Sequence, residues 1–146
     1  MSLNNSSIVG NYSGTSGGGI AHFSTNTLSI VGSVISNNST VHRGGGGITS
    51  HSKVNISKST ISSNSVSNGG YDCHGSGGLE IAGGTIVDSS IIYNGAQCPS
   101  YSGCIHSTGL LTIDNSTIAH NISADVETYS GCGGISALLQ IVAQQH

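Results

Sequence analysis

The segment Ile30-Val31-Gly32-Ser33-Val34-Ile35-Ser36-Asn37-Asn38 contains the pattern that decides the fold. A large aliphatic residue is followed three residues later by Ser, five later by Ile and eight later by Asn. The same offsets recur without a gap in five blocks: Leu3-Ser6-Ile8-Asn11, Ile30-Ser33-Ile35-Asn38, Ile56-Ser59-Ile61-Asn64, Ile86-Ser89-Ile91-Asn94 and Ile113-Ser116-Ile118-Asn121. Self-similarity at this period is typical of a solenoid built from stacked repeats.

A second element lies between the blocks, a run of small residues that ends in an aliphatic one. Its copies are Gly17-Gly18-Gly19-Ile20, Gly45-Gly46-Gly47-Ile48, Gly77-Gly78-Leu79, Gly103-Cys104-Ile105 and Gly133-Gly134-Ile135. The spacing from each Asn to the next such aliphatic residue varies, whereas the Ser-x-Ile-x-x-Asn block never does. We therefore predict that insertions leave the stack at one variable corner, because residues inside the stack would lose their register.

Composition and local pattern together favour strands. The chain has 23 Gly, no Trp, one Phe and 6% charged residues, so it lacks the large apolar side chains of an ordinary globular core. Its mean hydropathy of +0.06 and net charge of −3 differ from those of disordered chains. Apolar residues alternate in the blocks with a period of two, as in strands. We predict an all-β protein, a single-domain parallel β-helix over residues 1–146 with about five coils of 26–31 residues and three short strands in each coil.

These motifs resemble those of a known family. The pairing of Gly-Gly-x-Ile with Ile-x-x-Asn is similar to the GGAI and FxxN repeats of the polymorphic outer-membrane proteins, which are autotransporter-type surface proteins of bacteria. Two differences are the Ile in place of Phe and Cys104 in place of a Gly. The resemblance implies a right-handed β-helix, and it implies adhesion or display at a cell surface. Fold similarity by itself does not transfer an activity.

The recurrent polar residues are interpreted as structural. The Asn of each block either adopts a left-handed conformation or bonds to its neighbours in a ladder. The histidines His22, His51, His106 and His120 occupy different positions in their coils and are predicted to lie on the surface.

Four cysteines, Cys73, Cys98, Cys104 and Cys132, fall in the variable corner. We predict two disulfides, Cys73 to Cys98 and Cys104 to Cys132, although four cysteines allow three pairings. A metal site that uses His74 is the alternative, but no CxxC spacing supports it. Disulfides indicate an oxidising compartment, so we expect an extracellular or cell-surface location.

The variable corner also holds most of the charge and aromatic content. Its candidate ligand-binding residues, here called the ligand edge, are His42, Arg43, Tyr71, Asp72, His74, Tyr101, Asp125, Glu127 and Tyr129. We expect any recognition of a host or matrix surface protein or a glycan to occur there, and solvated loop decoration is the alternative. We expect no cofactor and no membrane span. We also expect no nucleic-acid partner, because only three residues carry a permanent positive charge.

Two further functions remain as alternatives. A polysaccharide-active β-helix enzyme, similar to pectate lyases, needs clustered carboxylates, but the offsets of Asp88 and Asp114 within their blocks differ by one residue. No catalytic residue is therefore assigned. An ice- or crystal-binding face needs a regular Thr array, and the outward row is irregular: Ser7, Val34, Thr60, Ser90, Thr117.

The ends of the sequence show no capping pattern. Leu3 already occupies the first position of a block, and Leu139-Gln140-Ile141 is interpreted as the start of a sixth block in which Gln144 replaces Ser. We expect a segment of a longer solenoid, in which bare terminal coils allow self-association or end-to-end fibres.

Overall fold

A computed structural model describes residues 1–67, 74–97, 103–123, 133–137 and 141–144, the last of these for the backbone only. Within these ranges the chain is all-β, with no helix. Each strand pairs in parallel with a strand one coil away. The structure confirms the predicted right-handed parallel β-helix, in which a right-twisted strand returns to its own sheet through a right-handed crossover.

The strands form four long stacks and one short one. Sheet A contains β1 (Ser2–Asn4), β5 (Leu28–Val31), β10 (Val54–Ser57), β15 (Gly84–Val87), β19 (Leu111–Asp114) and β23 (Ile141–Gln144). Sheet B contains β2 (Ser7–Val9), β6 (Val34–Ser36), β11 (Thr60–Ser62), β16 (Ser90–Ile92) and β20 (Thr117–Ala119). Sheet C contains β3 (Tyr12–Ser13), β7 (Ser39–Thr40), β12 (Ser65–Val66), β17 (Gly95–Ala96) and β21 (Ile122–Ser123).

Sheet D and the short sheet E complete the cross-section. Sheet D contains β4 (Ile20–His22), β9 (Ile48–Ser50), β14 (Leu79–Ile81), β18 (Ile105–Ser107) and β22 (Ile135–Ala137). Sheet E pairs β8 (Arg43–Gly45) with β13 (His74–Ser76). A complete coil thus passes through four short strands, A to D, and the expectation of three was wrong, because the residues after each Asn also pair between coils.

The prediction that one corner takes all the length variation was also wrong. The turn from sheet D to sheet A varies too: Ile48 is six residues before Val54, whereas the equivalent pair Ile20 and Leu28 is eight residues apart.

The strand register places equivalent residues of successive coils next to each other. Ile30 lies opposite Leu3 and Ile56, and Ile86 lies opposite Ile56 and Ile113. The interior they fill is shielded from solvent, with Ile30, Ile35, Ile61, Ile86 and Ile91 all at 0% exposure. Burial of these aliphatic columns supplies the main favourable free energy of folding.

The last strand has a different register from the predicted one. β23 pairs with β19 so that Ala143 lies opposite Ile113, and Ile141 lies opposite Leu111. The first position of a sixth block is therefore taken by Ala143 rather than Ile141, and Gln144 is not the counterpart of Ser. Either register keeps the alternation of the strand, since the two differ by two residues.

Close backbone approach explains the Gly-rich runs. A Cβ on Gly46 would overlap the carbonyl oxygens of Ser65 and Gly77. One on Gly47 would lie 2.8 Å from the Gly78 oxygen and 3.1 Å from the Asn64 amide. Gly46 and Gly47 thus pack against sheet C and against the Asn64 amide, where a side chain would overlap its neighbours.

Candidate functional site

The recurrent Asn residues form a buried ladder that runs along the axis of the solenoid. The backbone N–H and the side-chain Nδ2 of Asn38 both donate to Oδ1 of Asn64, at 3.0 Å each. Asn64 donates in the same way to Asn94, and its Nδ2 also donates to the Ile35 carbonyl at 2.9 Å. Asn11 and Asn121 extend the row at either end. Of the two alternatives for the Asn residues, the ladder is the one observed.

A parallel Ser ladder lies at the corner between sheets A and B. The backbone N–H of Ser33 donates to Oγ of Ser59 at 3.0 Å, and that of Ser59 donates to Oγ of Ser89 at 3.2 Å. Each of these hydroxyls in turn donates to a carbonyl two residues earlier, such as Ser59 to Ser57 at 2.7 Å. Ser6 and Ser116 continue the row.

The left-handed conformation belongs to the residue before each ladder residue. Before the Ser residues stand Asn5, Gly32, Lys58, Asp88 and Asn115, and before the Asn residues stand Gly10, Asn37, Ser63, Tyr93 and His120, all with positive φ. These two turns present each Ser or Asn side chain to the coil next to it. The stacked residues are thus occupied in holding the fold together, which leaves function to other groups.

Part of the ligand edge lies within the described residues. Arg43 in β8 lies opposite His74 in β13, and both are exposed, whereas His42 is half-buried. The other candidates, Tyr71, Asp72, Tyr101, Asp125, Glu127 and Tyr129, lie outside the described residues.

Glu80 belongs with this edge and was missed by the sequence analysis. It lies in sheet D opposite Thr49 and His106, and the Gly44 backbone of β8 donates a hydrogen bond to its carboxylate. Burial raises the pKa of Glu80, while the nearby His51, the Gly44 hydrogen bond, Arg43 and His74 act in the opposite direction. Its Oε2 is buried without a hydrogen bond among the described residues.

A signal for Glu80 was present in the sequence. Aligning the residue after each Gly-run aliphatic gives the outward row of sheet D, in which Glu80 and His106 follow each other in consecutive coils. A carboxylate and an imidazole on adjacent strands are close neighbours.

Two histidines were wrongly predicted to lie on the surface. His22 is 5% exposed, and its Nδ1 lies 3.2 Å from Oγ of Ser50 and 3.1 Å from Oγ of Ser52. Both hydroxyls donate to carbonyl oxygens, Ser50 to Ser52 and Ser52 to Asn26. Nδ1 of His22 thus lies within hydrogen-bond distance of both hydroxyls, and each hydroxyl also has a carbonyl acceptor.

His106 is the second of these, at 7% exposure, and burial lowers its pKa. His22 shares its strand face with the buried Ile20, so the alternation of β4 already places it inside. His106 lies on the face opposite the buried Ile105, so its burial depends on contacts outside its own strand. His51 and His120 are exposed.

The described acids do not form a catalytic pair. Asp88 stands at the corner between sheets A and B, where Nδ2 of Asn115 donates to its carboxylate, and Asp114 lies in sheet A opposite Val87. Among the residues that the structure describes, no group of three or more His, Cys, Asp or Glu could hold a metal ion. In the described part of the chain, no helix has the length and hydrophobicity that a membrane span requires.

The cysteine pairing stays a prediction. Cys73, Cys98 and Cys132 lie outside the described residues. Cys104 is fully buried in the row of Gly78 and Gly134, where its carbonyl accepts a hydrogen bond from the Gly78 N–H.

Comparisons of the chain with protein-family models, with curated proteins and with solved structures find no match. The chain is a β-helix repeat protein. The strand register and the two ladders establish this fold.

Proposed function

We propose that this chain is a structural and adhesive β-helix module of a secreted or cell-surface protein, of the autotransporter-like kind, with recognition through the ligand edge. The observation that carries the proposal is the gathering of Arg43, His74 and Glu80 around β8 and β13. A host or matrix surface protein or a glycan is the proposed partner.

The scaffold part of the proposal follows from what the repeated residues do. The polar groups of the Ser and Asn ladders are hydrogen-bonded between coils, and the Ile side chains are packed in the core. A solenoid of this kind holds its outer residues at about 4.8 Å intervals along the axis. Such a rigid array suits the display of binding loops better than chemistry that needs a closed pocket.

The recognition part follows from the composition of the edge. Arg43 and His74 are exposed side by side, and Arg43 can donate to carboxylate, sulfate or carbonyl oxygens of a partner. Behind them lies the carboxylate of Glu80, whose pKa is raised by burial. The segment 68–73, which contains Tyr71 and Asp72, directly precedes β13 in the sequence.

Paired substitutions test the proposal. The double variant Arg43→Gln with His74→Gln removes the described donors of the edge, and Lys53→Gln removes one positive charge from an exposed site outside it. On arrays of matrix proteins and glycans, the double variant should lose about tenfold or more in affinity for the partner bound by the unaltered chain, while Lys53→Gln should keep it. Equal binding by all three proteins would remove the recognition part of the proposal.

A further inference from the structure

A second surface, separate from the ligand edge, carries two aromatic rings in contact. Tyr93 and His120 stand at the same corner position in consecutive coils, between sheets B and C. Their rings stack almost parallel, with centroids 5.0 Å apart and an angle of 8° between the planes. Both side chains are exposed, Tyr93 at 59%, so the pair presents a ring surface to solvent rather than to the core.

The backbone beneath these rings is strained for such residues. Tyr93 and His120 have φ of 57° and 56°, in the left-handed region. The equivalent positions of the first three coils hold Gly10, Asn37 and Ser63, which are small residues, two of them common in turns of this kind. A bulky ring at this position adds little to burial and is unfavourable for the backbone. Retained strain of this type points to a functional role.

The surroundings of the ring pair carry no charge in the described residues. The strands of sheet B consist only of Ser, Thr, Val, Ile and Ala, and those of sheet C add only Gly and Tyr. Lys58 and Asp88 stand at the opposite margin of sheet B, two residues before their strands begin. Among the described residues of sheets B and C, a cationic ligand would find no carboxylate, and an anionic one would find no Arg or Lys.

Hydroxyl and amide groups border the rings. Asn37 and Ser63 precede Tyr93 in the same corner row, and Ser90 and Thr117 lie in sheet B on the same two coils as the rings. A flat partner with an apolar C–H face and hydroxyls around its rim matches stacked rings flanked by neutral donors and acceptors. We propose that the Tyr93–His120 pair and the adjoining uncharged face of sheet B bind a neutral oligosaccharide, with one sugar ring stacked on the aromatic surface.

The test separates binding from folding. Tyr93→Asn and His120→Asn remove one ring each and relieve the backbone, so both variants should keep or raise the melting temperature. Phe23→Ser is the matched control, because Phe23 is an equally exposed ring, 57%, in contact with His51 in the turn from sheet D to sheet A. Isothermal titration calorimetry of the full chain would use hexasaccharides of neutral β-glucan, chitin and mannan, with hexagalacturonate as the acidic comparison.

The unaltered chain and Phe23→Ser should bind at least one neutral hexasaccharide with equal affinity, and each ring variant should bind it about tenfold more weakly, which corresponds to about 1.4 kcal/mol. Loss of binding only in the Arg43 and His74 double variant would place the saccharide on the ligand edge and overturn this inference. Binding of hexagalacturonate alone, or of no neutral oligosaccharide, would overturn it as well, whatever the outcome for the ligand edge.

Discussion

Truncation of Asn64 to Ala would interrupt the Asn ladder at its centre. The Asn64 side chain is 1% exposed and takes part in four hydrogen bonds. Its Oδ1 accepts from the backbone N–H and from Nδ2 of Asn38, and its Nδ2 donates to Oδ1 of Asn94 and to the Ile35 carbonyl. Asn64→Ala would leave the buried Asn38 N–H without this acceptor and the Ile35 carbonyl without this donor.

The expected loss follows from those groups. A buried polar group deprived of its partner costs about 1–3 kcal/mol, so the substitution should lower the free energy of unfolding by about 3–5 kcal/mol. Asn11→Ala is the matched control. Asn11 is exposed and its side chain only donates, to Asn38 Oδ1 and to the Val9 carbonyl, so its truncation should cost about 1 kcal/mol or less.

Urea unfolding followed by far-ultraviolet circular dichroism would measure both variants. With a urea dependence of about 2 kcal/mol per molar, Asn64→Ala should lower the midpoint by about 2 M and Asn11→Ala by about 0.5 M or less. Midpoint shifts of equal size would refute the reasoning, because they would mean that the ladder adds no more at its buried centre than at its exposed end.

Three further predictions concern other parts of the molecule. Ser59→Ala removes the acceptor of the Ser33 N–H and should cost about 1–2 kcal/mol in urea unfolding, whereas Ser90→Ala on the outer face of sheet B should change stability by less than about 0.5 kcal/mol. Because the folded state raises the pKa of Glu80 above its ordinary value near 4.5, the folded chain holds this proton more tightly, and its contribution to stability should decrease as pH rises from 4.5 through the folded pKa. Glu80→Gln should abolish that decrease when unfolding is measured across this range, and an unchanged pH profile would count against the buried position of the carboxylate. Thiol titration of the denatured, unreduced protein should find no free thiol if the four cysteines form two disulfides, and four reactive thiols would contradict that prediction.

The repeat pattern predicted most of the fold because the fold is periodic. The invariant offsets of Ser33, Ile35 and Asn38 within their block identify residues that must stack, and a stack of such residues has one register that keeps Ile inside. The number of strands in a coil could not be predicted, because β7 and β12 are two-residue strands with no hydrophobic alternation of their own.

The candidate site was predicted only in part, for a different physical reason. Arg43 and His74 were found because the variable corner concentrates charge, but the position of Glu80 beneath β8 depends on a contact between β14 and a strand of the neighbouring coil. Burial of His106 likewise depends on contacts outside its own strand, because it lies on the face opposite the buried Ile105. The row of Glu80 and His106 can be read from the aligned coils, but the contacts that bury these residues leave no mark in the spacing of the chain.

The central claim, a parallel β-helix held by a buried Asn ladder, is tested most directly by hydrogen-bond scalar couplings in solution. A long-range HNCO experiment on the 14.6 kDa protein should show correlations from the backbone nitrogen of Asn38 to Cγ of Asn64 and from that of Asn64 to Cγ of Asn94, since these amides donate to side-chain oxygens one coil away. Correlations of the same amide nitrogens to backbone carbonyl carbons instead would contradict the ladder and the register built on it.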